Sequence, residues 1–162
     1  MLMRYPAQPF KRTLAALALI GLAMPAMAET SVTDAWVRAT VAHQQSTGAF
    51  MVLTASTDSK LVDVQSPVAE IVQVHEMTMH NDVMGMKQVH SVHLPAGKAV
   101  SLDPNGYHVM LIKLKQQIKE GEQVPLTLVV EDAKGQKQTL QIQAPVRALN
   151  AEAMHGGHDH MH

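Results

Sequence analysis

Residues 107–114 read YHVMLIKL, and this stretch decides the fold class. Its side chains form two interleaved sets, which is the period of two that a β-strand shows. One set is His108, Met110 and Ile112, and the other is Tyr107, Val109 and Leu111. The stretch therefore predicts a strand that carries one histidine and one methionine on the same face.

The same alternation recurs at residues 71–76, 126–130 and 140–143. These segments are rich in Val, Leu, Ile and Thr, and the turn sequences PAG, DPNG, KEGE and AKG bound strands of this kind along the chain. We count about eight or nine strands and at most one short helical turn, in the segment LKQQIKEGE. The pattern predicts an all-β fold, an antiparallel β-sandwich.

The first 28 residues have the features of a secretory signal peptide. Arg4, Lys11 and Arg12 are basic, and the apolar run that follows is too short for a membrane span. Ala26-Met27-Ala28 is a small-x-small cleavage site, so the mature chain is expected to begin at Glu29. This predicts a periplasmic protein without a membrane span, and the lack of cysteine argues against a lipid anchor.

Charge and composition exclude several classes of protein. Three of the 13 Lys and Arg residues and none of the 14 Asp and Glu residues lie in the signal, so the mature chain has a net charge of −4 with histidine neutral. A negative chain is a poor nucleic-acid binder. The chain contains no cysteine, so no disulfide stabilises the domain.

Four residues form a candidate metal site: His75, Met86, His108 and Met110. Alternate residues of a strand face the same side about 6–7 Å apart, so His108 and Met110 can reach one ion. Thioether sulfur is a soft ligand that selects Cu(I), and a set without carboxylates holds hard divalent ions poorly. The four residues predict a copper(I) site on a β scaffold.

Other histidines and methionines are weaker candidates, because a methionine on a strand is usually a core residue and a histidine is usually on the surface. We interpret His90 and His93 as surface residues. Four further residues are open as secondary ligands or as the rim where copper enters: Met77, Met79, His80 and Met84.

The spacing His75-x10-Met86-x21-His108-x-Met110 resembles the motif of the PCu(A)C-type periplasmic copper chaperones. The surrounding sequence is also similar to that family between Trp36 and Glu131. Segments that carry the likeness are AWVRAT, TGAFMVLTAS, VHEMTMHNDVMGMKQV, HLPAGKAVSLDPNGYHVMLIKLK and EGEQVPLTLVVED.

The resemblance implies a cupredoxin-like sandwich over residues 29–147. It also implies a chaperone that delivers Cu(I) toward the binuclear copper site of cytochrome c oxidase. The acceptor would be subunit II of the oxidase or an assembly factor. One alternative is copper or silver sequestration without a dedicated acceptor. Another is an interaction module whose methionines pack a core and whose histidine-rich tail scavenges zinc or nickel.

Enzyme classes find little support in the sequence. A blue-copper electron carrier needs a thiolate ligand, and the chain has no cysteine. A hydrolase needs a nucleophile with its base, or a water-bearing metal, and no Ser-His-Asp context or HExxH motif is present. We therefore expect binding and transfer rather than catalysis.

The C-terminal residues 148–162 differ from the rest, because they are rich in histidine, methionine and glycine and have no apolar pattern. We expect a disordered tail that binds metal, with the imidazoles suited to Cu(II). The candidate ligands there are Met154, His155, His158, His160, Met161 and His162.

Overall fold

The computed structural model of the protein describes Met3 and residues 28–148. The predicted signal peptide and the predicted metal-binding tail lie, apart from Met3, Ala28 and Ala148, outside these residues. The described part contains ten strands and no helix. They are β1 Thr30–Arg38, β2 Ser46–Ala55, β3 Ser59–Gln65, β4 Ala69–His80, β5 Val83–Val89, β6 Val92–Leu94, β7 Ala99–Leu102, β8 Tyr107–Leu114, β9 Gln123–Asp132 and β10 Lys137–Arg147.

The strands form two hydrogen-bonded layers. The first sheet contains β5, β4, β8, β7, β2 and β1, and the second contains β10, β9, β3 and β6. A short parallel pairing of β1 with β10, at Val37–Val146 and Arg38–Arg147, joins them. Apart from this pairing and the contact of β7 with β8, the strand pairs described are antiparallel. The predicted all-β, cupredoxin-like sandwich is confirmed.

The core lies between the two sheets and is aliphatic. Val109 and Leu111 of β8 are fully buried against residues such as Leu61 and Leu128 of the second sheet. Burying side chains of this size removes a large apolar area from water, which is the main favourable term in folding. The strand alternation seen in the sequence thus sets which face of each strand turns inward.

Two local features differ from the sequence prediction. The segment LKQQIKEGE contains no helical turn; it ends instead in a β-turn, in which the Glu122 amide donates to the Lys119 carbonyl at 3.1 Å. Gly121 has a φ of +86°, a conformation that glycine adopts without steric cost. The strand count is ten rather than eight or nine, partly because residues 83–89 form a strand of their own.

Strand β5 follows β4 through a two-residue turn. Asn81 and Asp82 both have positive φ, 49° and 62°, and His80 pairs with Val83 across the turn. This is the geometry of a type I′ hairpin, which Asn and Asp tolerate better than most residues. The tight turn places β5 at the edge of the first sheet and brings Met86 beside β4.

No helix of the described residues is long and apolar enough to cross a membrane.

Candidate metal centre

Strands β5, β4 and β8 are neighbours in the first sheet, and their register brings the predicted ligands to one place. His75 of β4 lies directly opposite His108 of β8, and Met77 of β4 lies opposite Met86 of β5. Met110 is two residues from His108 on β8, and alternate residues of a strand share a face. All four predicted ligands therefore lie on the same face of the sheet.

This face is the outward one. The residues that alternate with the ligands, Val74 and Val109, point into the core and are buried. His108 is nevertheless only 5% exposed, whereas Met86 on the edge strand is 56% exposed. The centre thus has a closed side at β8 and an open side at β5.

A cleft of about 280 Å³ opens on this face. Three of the predicted ligands line it, and His75 adjoins it through an edge-to-face contact with His108, with ring centroids 5.9 Å apart. Met77 lines it as well, although sequence reasoning assigned it only a secondary role. The full lining is Arg38, Gln44, Ser46, Thr47, Gly48, Phe50, Met77, Met86, Pro104, His108 and Met110.

Each imidazole has one nitrogen tied to an oxygen acceptor. Nε2 of His75 lies 2.9 Å from Oε1 of Gln73, and Nδ1 of His108 lies 3.4 Å from the Gly106 carbonyl. An N–H must donate in both cases, so in the neutral form of each ring the other nitrogen carries a lone pair. Nδ1 of His75 is buried and has no hydrogen-bond partner among the described residues. Both rings are thus set to offer a lone pair to an ion, and outer partners of this kind orient metal-bound histidines.

The protonation of His75 also favours a metal. Burial, and secondarily the charge that His108 can carry, lower the pKa of His75 below its ordinary value of 6.5. Both causes penalise the imidazolium, because a cation loses hydration on burial and is repelled by a neighbouring cation. A neutral imidazole is the form that binds metal.

The wall of the cleft on the β2 side is aromatic. A Cβ atom at Gly48 would lie 2.6 Å from Cζ of Phe50, so the ring of Phe50 occupies the space that any other residue would fill. The Arg38 guanidinium carbon lies 5.3 Å from the Phe50 ring centroid, within the range of a cation–π contact. Trp36 packs against the Phe50 ring at a centroid distance of 4.6 Å.

The donor set of the centre is soft and neutral. Two imidazoles and thioethers surround the cleft, and no carboxylate lines it. Within residues 28–148, no group of three or more His, Cys, Asp or Glu side chains is arranged to hold a metal. Such a set suits a soft monovalent ion and offers little to a hard divalent one.

The weaker candidates for metal ligands differ in which face of the sheet they occupy. Met79 and Met84 pair across the β4–β5 hairpin on the same face as the centre, whereas His80 alternates with Met79 and lies on the other face. His90 and His93 are exposed. The tail candidates, Met154, His155, His158, His160, Met161 and His162, lie outside the described residues.

Sequence reasoning missed the residues that support the ligands. Gln73 precedes His75 by two positions, so the alternation of β4 alone places it on the same face and within reach of the ring. The Gly106 carbonyl accepts from two groups at once, the Met77 amide at 3.1 Å and the His108 ring. Its role depends on a loop conformation that no residue type in the DPNG segment specifies.

Comparisons with known proteins agree with this architecture. The family described as "Putative lipoprotein LpqE-like" matches residues 30–146. A protein of Leifsonia xyli subsp. xyli described as "Putative lipoprotein Lxx21020" is 29% identical over 136 residues, which is 75% of this chain and 82% of that protein.

Solved structures are also similar. DR1885 from Deinococcus radiodurans, solved in solution in its apo and CuI forms, is 31% identical with a TM-score of 0.54. The match covers 91% of this chain and 95% of the apo protein, and 79% and 83% for the CuI form. The copper-bound PCuAC domain from PmoF2 is 23% identical with a TM-score of 0.58, covers 74% of this chain and 92% of that domain, and shows the same fold. The chain therefore belongs to the LpqE-like family, and its domain has the same fold as the PCuAC domain from PmoF2.

Proposed function

We propose that this protein is a copper chaperone that holds one Cu(I) with His75, Met86, His108 and Met110. The observation that carries the proposal is the meeting of two imidazoles, each with one nitrogen already hydrogen-bonded, beside thioethers on one face of the sheet. The buried Nδ1 of His75, which has no hydrogen-bond partner among the described residues, supports it further. An unsatisfied buried nitrogen is costly, and a metal ion would satisfy it.

The ion is copper in its monovalent state. The donors are soft or borderline and carry no charge, so they offset the charge of a divalent ion poorly. The 31% identity to DR1885, a protein solved as CuI-DR1885, supports the same choice.

The centre suits transfer rather than catalysis. Met86 is more than half exposed on an edge strand, so a second protein can approach the ion from that side and replace one thioether with its own ligand. The chain has no thiolate for blue-copper electron transfer, and no carboxylate lines the cleft to act as a base. We therefore propose a carrier and not an enzyme.

The acceptor that we propose is the binuclear copper site of cytochrome c oxidase, reached directly on subunit II or through an assembly factor. The resemblance of the ligand spacing to the PCu(A)C-type chaperones supports this acceptor. The lipoprotein descriptions of the family and of the relative suggest export, which supports a periplasmic location, removal of residues 1–28 and a mature domain over residues 29–147.

The proposal also gives a metal-binding role to the C-terminal residues 148–162. Their imidazoles would capture Cu(II), and the centre would hold the ion after reduction. Imidazole and carboxylate suit Cu(II) better than thioether does. The tail ligands would be His155, His158, His160 and His162, with Met154 and Met161 following the ion once it is reduced.

Paired titrations test both parts. The mature chain and a version that ends at Leu149 are titrated with Cu(I) against a chelator, and separately with Cu(II). We expect truncation to remove Cu(II) binding and to leave Cu(I) binding nearly intact. Unchanged Cu(II) binding after truncation would show that the tail is only a solvated extension.

A transfer assay then separates delivery from storage. The Cu(I)-loaded protein is mixed with the apo copper domain of oxidase subunit II, and the copper content of each is measured after separation. We expect the ion to appear on the oxidase domain. Retention by the loaded protein would favour sequestration of copper or silver instead.

A further inference from the structure

Two pairs of methionines face each other across the β4–β5 hairpin. Met77 lies opposite Met86, and Met79 lies opposite Met84. Directly opposed residues of an antiparallel pair have Cβ atoms about 4.5–5.5 Å apart and share a face. The four thioethers thus form a two-by-two array that runs from the candidate metal centre to the hairpin turn.

The outer pair is unusually exposed. Met79 is 67% and Met84 is 52% exposed, on an edge hairpin where large apolar side chains invite aggregation. Contiguous apolar exposure of this kind generally marks a functional surface. Packing does not explain it, because neither side chain is among the residues that pack on the core.

We propose that Met79 and Met84 form a second soft-metal site that takes Cu(I) or Ag(I) at the tip of the hairpin. The proposal rests on the proposed function for the identity of the natural ion. A methionine has three rotatable side-chain bonds and a polarisable sulfur, so two opposed residues can turn both sulfurs to one ion. Soft thioether donors select monovalent copper and its analogues.

The residues on the two faces of the hairpin also indicate that this site binds hard ions poorly. His80 and Val83, which pair next to the turn, lie on the opposite face, as does Glu76. The methionine face between the turn and the cleft therefore presents thioethers alone. A hard divalent ion finds no oxygen ligand from these strand positions.

The array also connects the outer site to the centre. Met77 and Met86 line the cleft, and Met79 and Met84 each lie two residues farther toward the turn on the same strands. Steps of about 6–7 Å between alternate residues are short enough for an ion to pass from one thioether pair to the next without release into water. The second site thus serves as an entry or exit station for the ion.

Silver is the probe for the test, because Ag(I) is soft, monovalent and diamagnetic. The full mature chain, with isotope-labelled methionine methyl groups, is titrated with Ag(I) and followed by NMR. We expect the Met86 and Met110 methyl signals to move with the first equivalent and those of Met79 and Met84 with further silver. Unmoved Met79 and Met84 signals overturn the second site, and unmoved Met110 signals overturn the centre, so the two failures are distinguishable.

Variants show whether the pair acts together. Met79→Leu keeps the apolar volume and removes one sulfur, so the silver concentration that shifts the Met84 signal should rise roughly tenfold or more. The matched control is Val83→Ala, an equally exposed residue on the other face of the hairpin, which should leave that concentration unchanged. An unchanged Met84 response in Met79→Leu overturns the proposal and leaves the exposed pair as an apolar contact surface.

Discussion

The two sheets bury similar inward faces but present different outward ones. On β10 of the second sheet, the exposed positions include Lys137, Thr139, Gln141 and Gln143, which are polar and need no partner beyond water. On β4 and β8 of the first sheet, the outward positions carry histidine and methionine instead. A polar outward face is what solubility requires of a sandwich, so the histidines and methionines on the first sheet are a departure that supports the proposed metal centre.

The strongest test of this comparison replaces the two thioethers of the proposed ligand set. Met86→Leu with Met110→Leu keeps the side-chain volume, so the fold should lose less than about 1.5 kcal/mol. Affinity for Cu(I), measured against a competing chelator, should fall by about a thousandfold, which is roughly 4 kcal/mol.

The matched control is Met51→Leu, which makes the same change on the buried inward face of the same sheet. It should leave Cu(I) affinity unaltered. Equal affinities for the double variant and the control would remove Met86 and Met110 from the ligand set.

The second prediction concerns the inward faces of the two sheets, which together bury the core. Leu128→Ala creates a cavity at a fully buried position of β9, and should lower the free energy of unfolding by about 3 kcal/mol. Gln141→Ala, on the exposed face of β10, should change it by less than about 0.5 kcal/mol. Chemical denaturation of the apo proteins measures both, and similar losses for the two variants would contradict the division into faces.

The third prediction tests whether the hydrogen bond to Gln73 orients the His75 ring. Gln73→Leu removes the acceptor of the His75 N–H, so the ring loses its fixed tautomer and orientation. Loss of such an outer partner typically costs about 10–100-fold in metal affinity. Gln141→Leu makes the same change on the second sheet and should have no effect on Cu(I) affinity. A Gln73→Leu protein that binds as tightly as the parent would show that His75 needs no orienting partner.

The smallest expected effect is the pH dependence of the apo protein. The folded state holds the pKa of His75 below 6.5, so the unfolded chain takes up this proton first as the pH falls. Stability from this group is therefore constant above pH 6.5 and declines as the pH falls from there toward the lowered pKa.

A comparison of variants isolates this contribution. The difference in unfolding free energy between the parent and His75→Gln should shrink or reverse below pH 6.5. A difference that does not vary with pH would mean that His75 titrates alike in both states.

Much of the architecture follows from the sequence, because strands with one buried face alternate in a way that residue types reveal. Strands β8, β9 and β10 are recognisable on that basis, and the predicted all-β sandwich is confirmed. Strand β5 is harder to predict from the sequence, since nearly all of its residues are exposed and an edge strand of this kind has no burial pattern to detect. The positive φ of Asn81 and Asp82 gives the tight turn that joins β4 and β5 in a hairpin.

The candidate site was predictable in its residues but not in its surroundings. The spacing of His75, Met86, His108 and Met110 identified them as candidate ligands, and their ligation of copper stays a prediction. The inter-strand register that sets His75 opposite His108 depends on the turn geometry and on pairings distant in sequence. The aromatic wall that Phe50 forms over Gly48 depends on a third strand, β2, and no local pattern specifies it.

The exposure of Met86 has a further consequence, for damage by oxidants. Oxidation converts a thioether into a polar sulfoxide, and it proceeds where solvent reaches the sulfur. Met51 is shielded within the core, whereas Met79, Met84 and Met86 stand open to solvent on the edge hairpin. Within residues 28–148, peroxide would therefore oxidise the hairpin methionines before Met51 and leave the domain folded. In a chain without thiols, the exposed Met86 sulfur that would let an acceptor reach the proposed centre is also the sulfur at which oxidative stress would disable it.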